Sequence, residues 1–265
     1  MKLEGKTAVV TGGGRGLGRA ICLAYAREGA DLIVASDVPE ENLAVAGEVE
    51  SLHRRAIPFA LDVSDGAQVQ AMAEAAFAEF GKVDILVSNA GIQRRALLPF
   101  SDEGEWKRVI EVNVYGAYHC CKAFLPGMIE RNSGRVIIMS SVSGKMANPA
   151  NSSYAVAKHG LIGLARSLAA EVARMGAKAV TVNAICPGIV NTDIMTGPVG
   201  NIAMLSRLLG LSREEVWEQV YKPLILQERM LEPEEIAAMA VYLASDDARG
   251  ITGQAVNVCG GMVMH

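Results

Sequence analysis

Tyr154 and Lys158 stand four residues apart in the stretch SSYAVAKHG, Ser152 to Gly160, so a helix here would place both side chains on one face. A phenol exchanges protons with an alcohol oxygen, but with a reference pKa of about 10 it must become more acidic to do so near neutral pH. A lysine one turn away supplies positive charge for this purpose. Ordinary amphipathic helices also show this spacing, so the pair indicates acid–base chemistry only together with other features of the chain.

A glycine-rich stretch near the start of the chain, TGGGRGLG, predicts a nucleotide-binding turn. It lies between an apolar strand and a helix, where glycines permit a tight turn and the helix N-terminus presents free N–H groups to a pyrophosphate. The pattern is TGxxxGxG rather than the common GxGxxG, and no Lys-Ser/Thr pair follows it, which argues against an NTPase phosphate loop. The candidate cofactor-binding residues of this turn are Gly12, Arg15, Gly16, Leu17 and Gly18.

The acidic residue Asp37 ends the second predicted strand, 21 residues after Gly16. A carboxylate at this place accepts hydrogen bonds from an adenosine ribose and repels a 2′-phosphate, which favours NAD over NADP. Two alternatives stay open. Ser36 could occupy the discriminating position, and Arg15 could contact a phosphate.

Two further segments follow predicted strands and extend the expected cofactor site. Asp62, in ALDVSD after the third strand, is expected with its neighbour Val63 to meet the adenine edge, and Asp62 or Asp65 also caps the next helix. SNAG, Ser88 to Gly91, follows the fourth strand. Its small residues let the backbone lie against a cofactor, although a simple turn would use them too.

Seven apolar strands alternate with helical segments along the chain and position these residues. They are TAVV, LIVAS, AIPFALD, VDILVSN, RVIIMS, AVTVNAICPG and QAVNV. The alternation predicts an α/β structure, a doubly wound Rossmann fold whose seven-stranded parallel sheet has helices on both faces. Right-handed crossovers bring the loops after the strands to one edge of the sheet, where ligands bind in such folds. No linker interrupts the pattern, so residues 1–265 are expected to form a single domain.

The composition limits the classes of function that the protein can have. Apolar residues make up 51% of the chain and charged residues 20%, and the net charge of −4 gives no basic excess for nucleic acid. The N-terminus has no long apolar segment, so no membrane association and a cytoplasmic location are predicted. The five cysteines lack a CxxC pair and the four histidines lack metal-site spacing. They predict buried thiols in a reducing compartment and no metal site.

Six motifs occur together in a specific order: TGxxxGxG, NAG at Asn89, NVYG at Asn113, SS at Ser140, YxxxK, and PG at Pro187. The chain resembles the short-chain dehydrogenase/reductase (SDR) family in this order and spacing over essentially its whole length. Two positions depart from the family pattern. Ser88 replaces the first asparagine of NNAG, and Cys259 replaces the aspartate of a C-terminal DGG.

The resemblance implies a role for each matching residue. Tyr154 exchanges the proton, and Lys158 stabilises the phenolate and holds the nicotinamide ribose. Ser141, rather than its neighbours Ser140 and Ser143, hydrogen-bonds the substrate oxygen, and Asn113 holds a water in a proton relay to the lysine. The implied catalytic set is Asn113, Ser141, Tyr154 and Lys158. Further implied cofactor contacts are Asn89, Ala90, Gly91, Tyr154, Lys158, Pro187, Gly188, Ile189 and Thr192.

The run GIQRR, Gly91 to Arg95, follows the cofactor loop and supplies candidate substrate residues. It resembles a segment of gluconate-type ketoreductases, and GIQ also occurs in 3-hydroxybutyrate dehydrogenases. An arginine here could bind a carboxylate, phosphate or sulfonate through two parallel hydrogen bonds. A solvated loop or a subunit contact is the alternative. The candidate substrate residues are Gln93, Arg94, Arg95 and Ser141.

The first functional hypothesis is hydride transfer between a nicotinamide cofactor and a small secondary alcohol or ketone, such as a sugar acid, polyol or anionic hydroxy compound. The alternative is a 3-oxoacyl-thioester reductase, whose family members share nearly every motif but prefer NADPH, which Asp37 disfavours. A non-catalytic, cofactor-sensing regulator is a third hypothesis. The retained catalytic side chains argue against it.

The resemblance also implies a quaternary structure and a covering segment. The helices around 109–129 and 155–175 are similar to those of the family's dimer bundle, so a homotetramer or a homodimer is expected. A polar, methionine-rich stretch within residues 190–226 is expected to cover the substrate, although its methionines could equally be helical core.

Overall fold

Seven parallel strands form one sheet in the order β3-β2-β1-β4-β5-β6-β7. The computed structural model describes residues 1–265. The order reverses between β1 and β4, and ligands bind at such a switch point beyond the carboxyl ends of the strands. The predicted fold class, a doubly wound α/β sheet of seven parallel strands, is therefore confirmed. The strands are β1 Thr7–Thr11, β2 Asp31–Ser36, β3 Ala56–Ala60, β4 Ile85–Ser88, β5 Gly134–Met139, β6 Val180–Pro187 and β7 Ala255–Val258.

Helices cover both faces of the sheet. Alternate residues of each central strand point to opposite faces, and they pack into two apolar clusters of similar size, 30 and 28 buried residues. This is why the strands read as continuous apolar runs in the sequence. The helices are α1 Gly16–Arg27, α2 Pro39–Ser51, α3 Gly66–Phe80, α4 Glu103–Ile110, α5 Gly116–Glu130, α6 Ser152–Arg174, α7 Asp193–Thr196, α8 Asn201–Leu209, α9 Arg213–Val216 and α10 Pro233–Ala244.

The helix predicted around residues 109–129 is not regular. A π-helical turn, Glu111–Tyr115, separates α4 from α5. Within it the Asn113 side-chain amide donates to the carbonyl oxygens of Val109 and Ile92, both at 2.9 Å. The asparagine therefore satisfies a helix carbonyl itself, which the sequence pattern could not indicate because the apolar spacing continues through the turn.

The covering segment, residues 190–226, folds into α7, α8 and α9 and a second π-helical turn, Trp217–Tyr221. Its buried residues form an apolar cluster of their own beside the sheet edge, so its methionines do serve partly as core, Met195 among them. The cluster comprises Ile189, Met195, Ile202, Val216, Tyr221 and Ile225.

None of the single helices is both long and apolar enough to cross a membrane. Asp193–Leu209 and Arg213–Leu224 reach that length and composition only as a pair, bent by 101° at the break between them.

Candidate active site

The turn between β1 and α1 has the shape of a pyrophosphate cradle. Gly12 and Gly16 have φ of +64° and +52°, values that side chains rarely adopt, and a Cβ on Gly18 would lie 1.9 Å from the Gly12 carbonyl oxygen. Helix α1 begins without a side-chain cap and without an acidic residue in its first turn. Its N–H groups are therefore open to an anion. These features fit a dinucleotide, and Leu17 packs beneath the turn.

The loop after β4 is tied directly to this turn. The Asn89 side-chain amide donates to the Thr11 and Gly12 carbonyl oxygens at 2.9 and 3.2 Å, and the Asn89 and Ala90 N–H groups donate to the Thr11 hydroxyl. Asn89 thus shapes the glycine turn through its side chain, which leaves Ala90 and Gly91 as the small surface beside the cofactor position.

The segment after β6 closes the other side of the same cleft. A Cβ on Gly16 would lie 3.7 Å from the Thr192 methyl group, so Thr192 faces the glycine turn. Gly188 packs against Cys259, whose backbone would be 2.7 Å from an added Cβ. Cys259, at the position of the family's usual aspartate, is buried and occupies this close contact. Pro187 ends β6, and Ile189 joins the core of the covering segment.

The end of β2 presents one exposed acidic side chain. Ser36 is buried, and its hydroxyl donates to the Asn42 side-chain oxygen at 2.6 Å, whereas Asp37 is exposed. Arg15 lies 3.7 Å from Glu41. Ser36 therefore serves the packing of α2, and Asp37 is the first side chain after β2 that is free to meet a ribose.

Asp62 is engaged by the protein's own residues. Arg108 donates to its carboxylate at 2.5 Å, and the Ser64 hydroxyl donates at 2.7 Å. Burial alone would raise the pKa of Asp62, but these hydrogen bonds lower it. Asp65, the other candidate, caps α3 by accepting from the Ala67 and Gln68 N–H groups. The Val63 side chain is buried in the core, and its carbonyl oxygen lies 3.2 Å from a His119 ring nitrogen.

The three side chains of the proton-exchange group lie together at the carboxyl ends of β5 and β6. Ser141 follows β5, and Tyr154 and Lys158 lie on the first turns of α6. The Lys158 ammonium is 5.3 Å from the centre of the Tyr154 ring. Burial raises the pKa of Tyr154 to about 12, and the Ser141 hydroxyl beside it opposes the shift. Burial thus makes the phenol less acidic, opposite to the shift expected from the sequence, and keeps it protonated at neutral pH.

Two hydrogen bonds fix the position of Lys158. Its ammonium donates to the Met139 carbonyl oxygen at 2.8 Å, and its own carbonyl oxygen accepts from Ser140 at 2.8 Å. It is buried without a carboxylate partner, and this burial lowers the pKa of Lys158 to about 8. Ser140 thus orients the lysine helix, while Ser143 donates its N–H to the Ser141 hydroxyl.

Asn113 faces the lysine across Gly91. A Cβ on Gly91 would lie 2.6 Å from the Asn113 side-chain oxygen and 3.5 Å from the Lys158 ammonium. That oxygen is buried and has no hydrogen-bond partner within the protein. A buried acceptor of this kind is left free to bind a water, as the predicted relay requires.

The two arginines of GIQRR point in different directions. Arg94 is exposed and donates to Glu105 at 2.6 Å, so its guanidinium already has a partner on the surface, and its role as a substrate contact stays a prediction that this geometry does not favour. Arg95 is partly buried, and its positive charge acts on Tyr154. The separation arises because neighbouring residues in an extended loop project to opposite sides. Gln93 faces inward and donates to Asn151 at 2.8 Å.

Three residues of the site were missed in the sequence. Asn151 and Asn201 both bind Gln93, and Asn201 also accepts from the Arg95 guanidinium at 3.0 Å. Tyr221 is buried near the same arginine. No local motif marks them, because they reach the loop of Gln93 and Arg95 only through contacts between distant segments.

Gly18→Ala is expected to weaken cofactor binding strongly, because the added Cβ would lie 1.9 Å from a backbone oxygen and the turn itself would have to shift. Overpacking of this kind costs about 1–3 kcal/mol, which corresponds to an increase of about 10-fold or more in the Kd for NADH measured by fluorescence. Gly47→Ala is the matched control, since no atom lies within 4 Å of its added Cβ. Equal Kd values for Gly18→Ala and the unmodified protein would contradict the assignment of this turn as the pyrophosphate-binding site.

The family model described as short chain dehydrogenase matches residues 6–199. Among similar curated proteins, the 3-oxoacyl-(acyl-carrier-protein) reductase FabG of Thermotoga maritima is 36% identical over 265 residues and that of Escherichia coli K12 is 39% identical over 264 residues, each with 100% of both chains covered. The protein of the same name from Chlamydia trachomatis is 39% identical over 261 residues, 98% of each chain.

A solved structure shows the same fold. The crystal structure of levodione reductase superimposes with a TM-score of 0.89 at 31% identity, and the match covers 98% of each chain. Similarity thus extends over the glycine turn, the tyrosine helix and the covering segment alike.

Proposed function

Because the chain belongs to the short-chain dehydrogenase family and is a nicotinamide-dependent oxidoreductase of alcohols and ketones, we propose that it reduces a substrate ketone with Tyr154 as the proton donor. The observation that carries this role is the grouping of Tyr154, Ser141 and Lys158 at one sheet edge, beside the open N-terminus of α1. The bound nicotinamide supplies or accepts the hydride. Every other task falls to side chains of the protein.

The proposed proton path starts at the phenol. The Tyr154 hydroxyl donates to the carbonyl oxygen as it becomes an alkoxide, and the Ser141 hydroxyl donates a hydrogen bond to the same oxygen. Lys158 places a buried positive charge beside the phenolate that is left, which lowers the free energy of that state. A water held by the unpartnered Asn113 oxygen would return the proton to the lysine.

Reduction of a 3-oxoacyl thioester is the first candidate for the specific reaction. The curated relatives described above are all named for this activity, and they align with the chain from end to end. The comparisons therefore favour this alternative over the sugar acids and polyols suggested by the GIQRR resemblance.

A small anionic ketone or alcohol is the second candidate, and the polar wall of the cleft favours it. Gln93, Arg95, Asn151 and Asn201 form a connected hydrogen-bond network next to the site of Tyr154, where a long acyl chain would need apolar contacts. A panel of 3-oxoacyl thioesters, keto acids, sugar acids and polyols with both NAD(H) and NADP(H) distinguishes the candidates. Absence of turnover with every compound would reject the proposed function.

We also propose NAD as the preferred cofactor, supported by Asp37 alone. The relatives named as 3-oxoacyl reductases do not support this preference, because the sequence resemblance predicts NADPH for that group. That support is the exposed Asp37 carboxylate at the end of β2.

Asp37→Asn is expected to reduce the preference for NADH over NADPH by about 10- to 100-fold, because a hydrogen bond to a charged group is worth about 1.5–3 kcal/mol and the like-charge repulsion also disappears. The measurement is the ratio of kcat/KM for the two cofactors with one substrate. Glu40→Gln, a nearby exposed acid at the start of α2, controls for net charge and should leave the ratio unchanged. An unchanged ratio in Asp37→Asn would remove the basis for NAD.

A homo-oligomer is the proposed assembly, with the homotetramer predicted from the sequence resemblance as its specific form. The supporting feature is a set of exposed apolar and aromatic side chains along α5, α6 and the π-helical turn before α5. They include Tyr115, Tyr118 and Val156. A cytoplasmic location also stays a prediction, for which the five free, buried cysteines are the supporting feature.

A further inference from the structure

Besides the Asn113 oxygen, two further buried polar atoms near the proton-exchange group have no partner in the protein. They are the Asn151 side-chain nitrogen and the Tyr221 hydroxyl. Asn151 is 1% exposed and Tyr221 is 7% exposed, so water reaches neither residue freely. Leaving a buried donor unsatisfied costs about 1–3 kcal/mol, which makes such atoms uncommon in native proteins unless something binds them. Neither residue has a role in hydride transfer.

Arg95 joins these two groups. Its positive charge acts on Tyr154 and on Tyr221, opposing the rise in the pKa of each that burial causes. The guanidinium is therefore near enough to both phenols for its charge to act on them. Its Nε donates to Asn201, and no acidic side chain forms a salt bridge with it, whereas the adjacent Arg94 is paired with Glu105. The remaining N–H groups of Arg95 form a fork without an anionic partner.

The surrounding backbone holds this arginine and Asn151 together. Residues Ala96 and Asn151 form an isolated parallel bridge, and the Ala96 N–H donates to the Ala150 carbonyl oxygen at 3.0 Å. Ala150 has φ of +56°, an unfavourable value for a residue with a Cβ. Strain of this kind persists where the surroundings require it, and it is often found at binding sites.

Tyr221 is positioned by a second irregular element. It is the last residue of the π-helical turn Trp217–Tyr221, and its ring packs into the apolar cluster of the covering segment. Single π turns are frequent at functional sites because they reorient a side chain without ending the helix. Gln93 and Asn201 fix this segment to the Arg95 loop, with 3.0 Å between the Asn201 nitrogen and the Gln93 oxygen.

We propose that Arg95, Asn151 and Tyr221 form a carboxylate-binding subsite, so that the substrate is a keto acid, or the corresponding hydroxy acid, whose carboxylate binds there while its carbonyl oxygen meets Tyr154. The inference rests on the proposed hydride transfer and specifies the second substrate candidate. The three free groups are all hydrogen-bond donors, and a guanidinium has no acceptor atom, so the complementary ligand is acceptor-rich and anionic. A carboxylate fits the planar fork of an arginine.

A comparison of each keto acid with its methyl ester and its thioester tests the subsite. The substrates are 3-oxo, 4-oxo and 5-oxo acids, their methyl esters and their N-acetylcysteamine thioesters, with kcat and KM measured for each. The acid of the fitting length should exceed its ester by about 10- to 100-fold in kcat/KM, as expected for a charge-assisted hydrogen bond. Arg95→Met should abolish this preference mainly by raising KM, because the carboxylate does not react. Tyr221→Phe should weaken the preference, and Arg95→Lys should retain part of it.

Arg94→Met is the matched control, since that arginine is exposed and paired outside the site, and it should leave the acid preference intact. Equal kcat/KM for acid and ester at every length, or a preference that survives Arg95→Met, would overturn the subsite while leaving the proposed function in place. Failure to reduce any ketone in any form would reject the proposed function instead. Calorimetric binding of the same acids to the cofactor-loaded enzyme, unmodified against Arg95→Met, still decides the subsite in that case.

Discussion

Tyr154→Phe is expected to lower kcat/KM for ketone reduction by about 10³-fold, the largest loss among the changes considered, because the variant keeps the ring but loses the proton donor. The hydroxyl is the group that can protonate the nascent alkoxide next to Ser141. The loss should occur in kcat as well as in kcat/KM, since the proton moves only in the transition state.

Two measurements separate this effect from misfolding. The Kd for NADH should stay within about threefold of that of the unmodified protein, because the glycine turn and Lys158 are intact. Tyr242→Phe, at a partly exposed tyrosine on α10, should leave kcat unchanged. Turnover of Tyr154→Phe at the rate of the Tyr242 variant would exclude the phenol as the proton donor.

Lys158→Met is expected to lower kcat/KM on the order of 10²-fold, because it removes the charge that stabilises the phenolate. The same change should stabilise the fold at pH 7. Burial lowers the pKa of Lys158 from 10.5 to about 8, which corresponds to about 3 kcal/mol of unfavourable burial for the charged form. The lost hydrogen bond to the Met139 oxygen offsets about half of that, so the free energy of unfolding should rise by about 1–2 kcal/mol.

The stabilisation expected from Lys158→Met depends on pH. Between pH 8 and 10.5 the unfolded protein binds a proton at this lysine that the folded protein does not, so the stability of the unmodified protein gains with rising pH in that window. The stabilisation by Lys158→Met should therefore be largest below pH 8 and diminish above it. Urea unfolding at pH 7 and at pH 9 measures the difference. A variant that is less stable at pH 7 would show that the buried ammonium is better solvated than its surroundings indicate.

The placement of the proton-exchange group was accessible from the sequence because it depends on local spacing and on topology. Tyr154 and Lys158 share a face of α6 through helical periodicity, and strand alternation predicts that Ser141 ends at the same sheet edge. Glycines at the β1–α1 turn and the acid at the end of β2 also follow from local backbone and charge requirements. For these residues the relevant interactions lie within one turn or at the end of one strand.

Other features required contacts between distant segments. Asn113 was recognised by family resemblance, but its π-helical turn depends on the Ile92 carbonyl oxygen from another loop. Which arginine of GIQRR faces the site is decided by Glu105 on one side and Asn201 on the other. The amino acids themselves are identical, so composition could not separate them.

The sequence by itself determined the parallel sheet and the glycine turn, because hydrophobic periodicity and glycine conformations are properties of short segments, while the proton-exchange roles were implied by the family resemblance. Only the tertiary structure decided the polar wall of the cleft, since Arg95, Asn151 and Tyr221 come from three separate segments that only the packing of the chain brings near one another. Their unpartnered atoms result from that packing. Burial removes the water that would otherwise satisfy them, and no pattern along the chain records it.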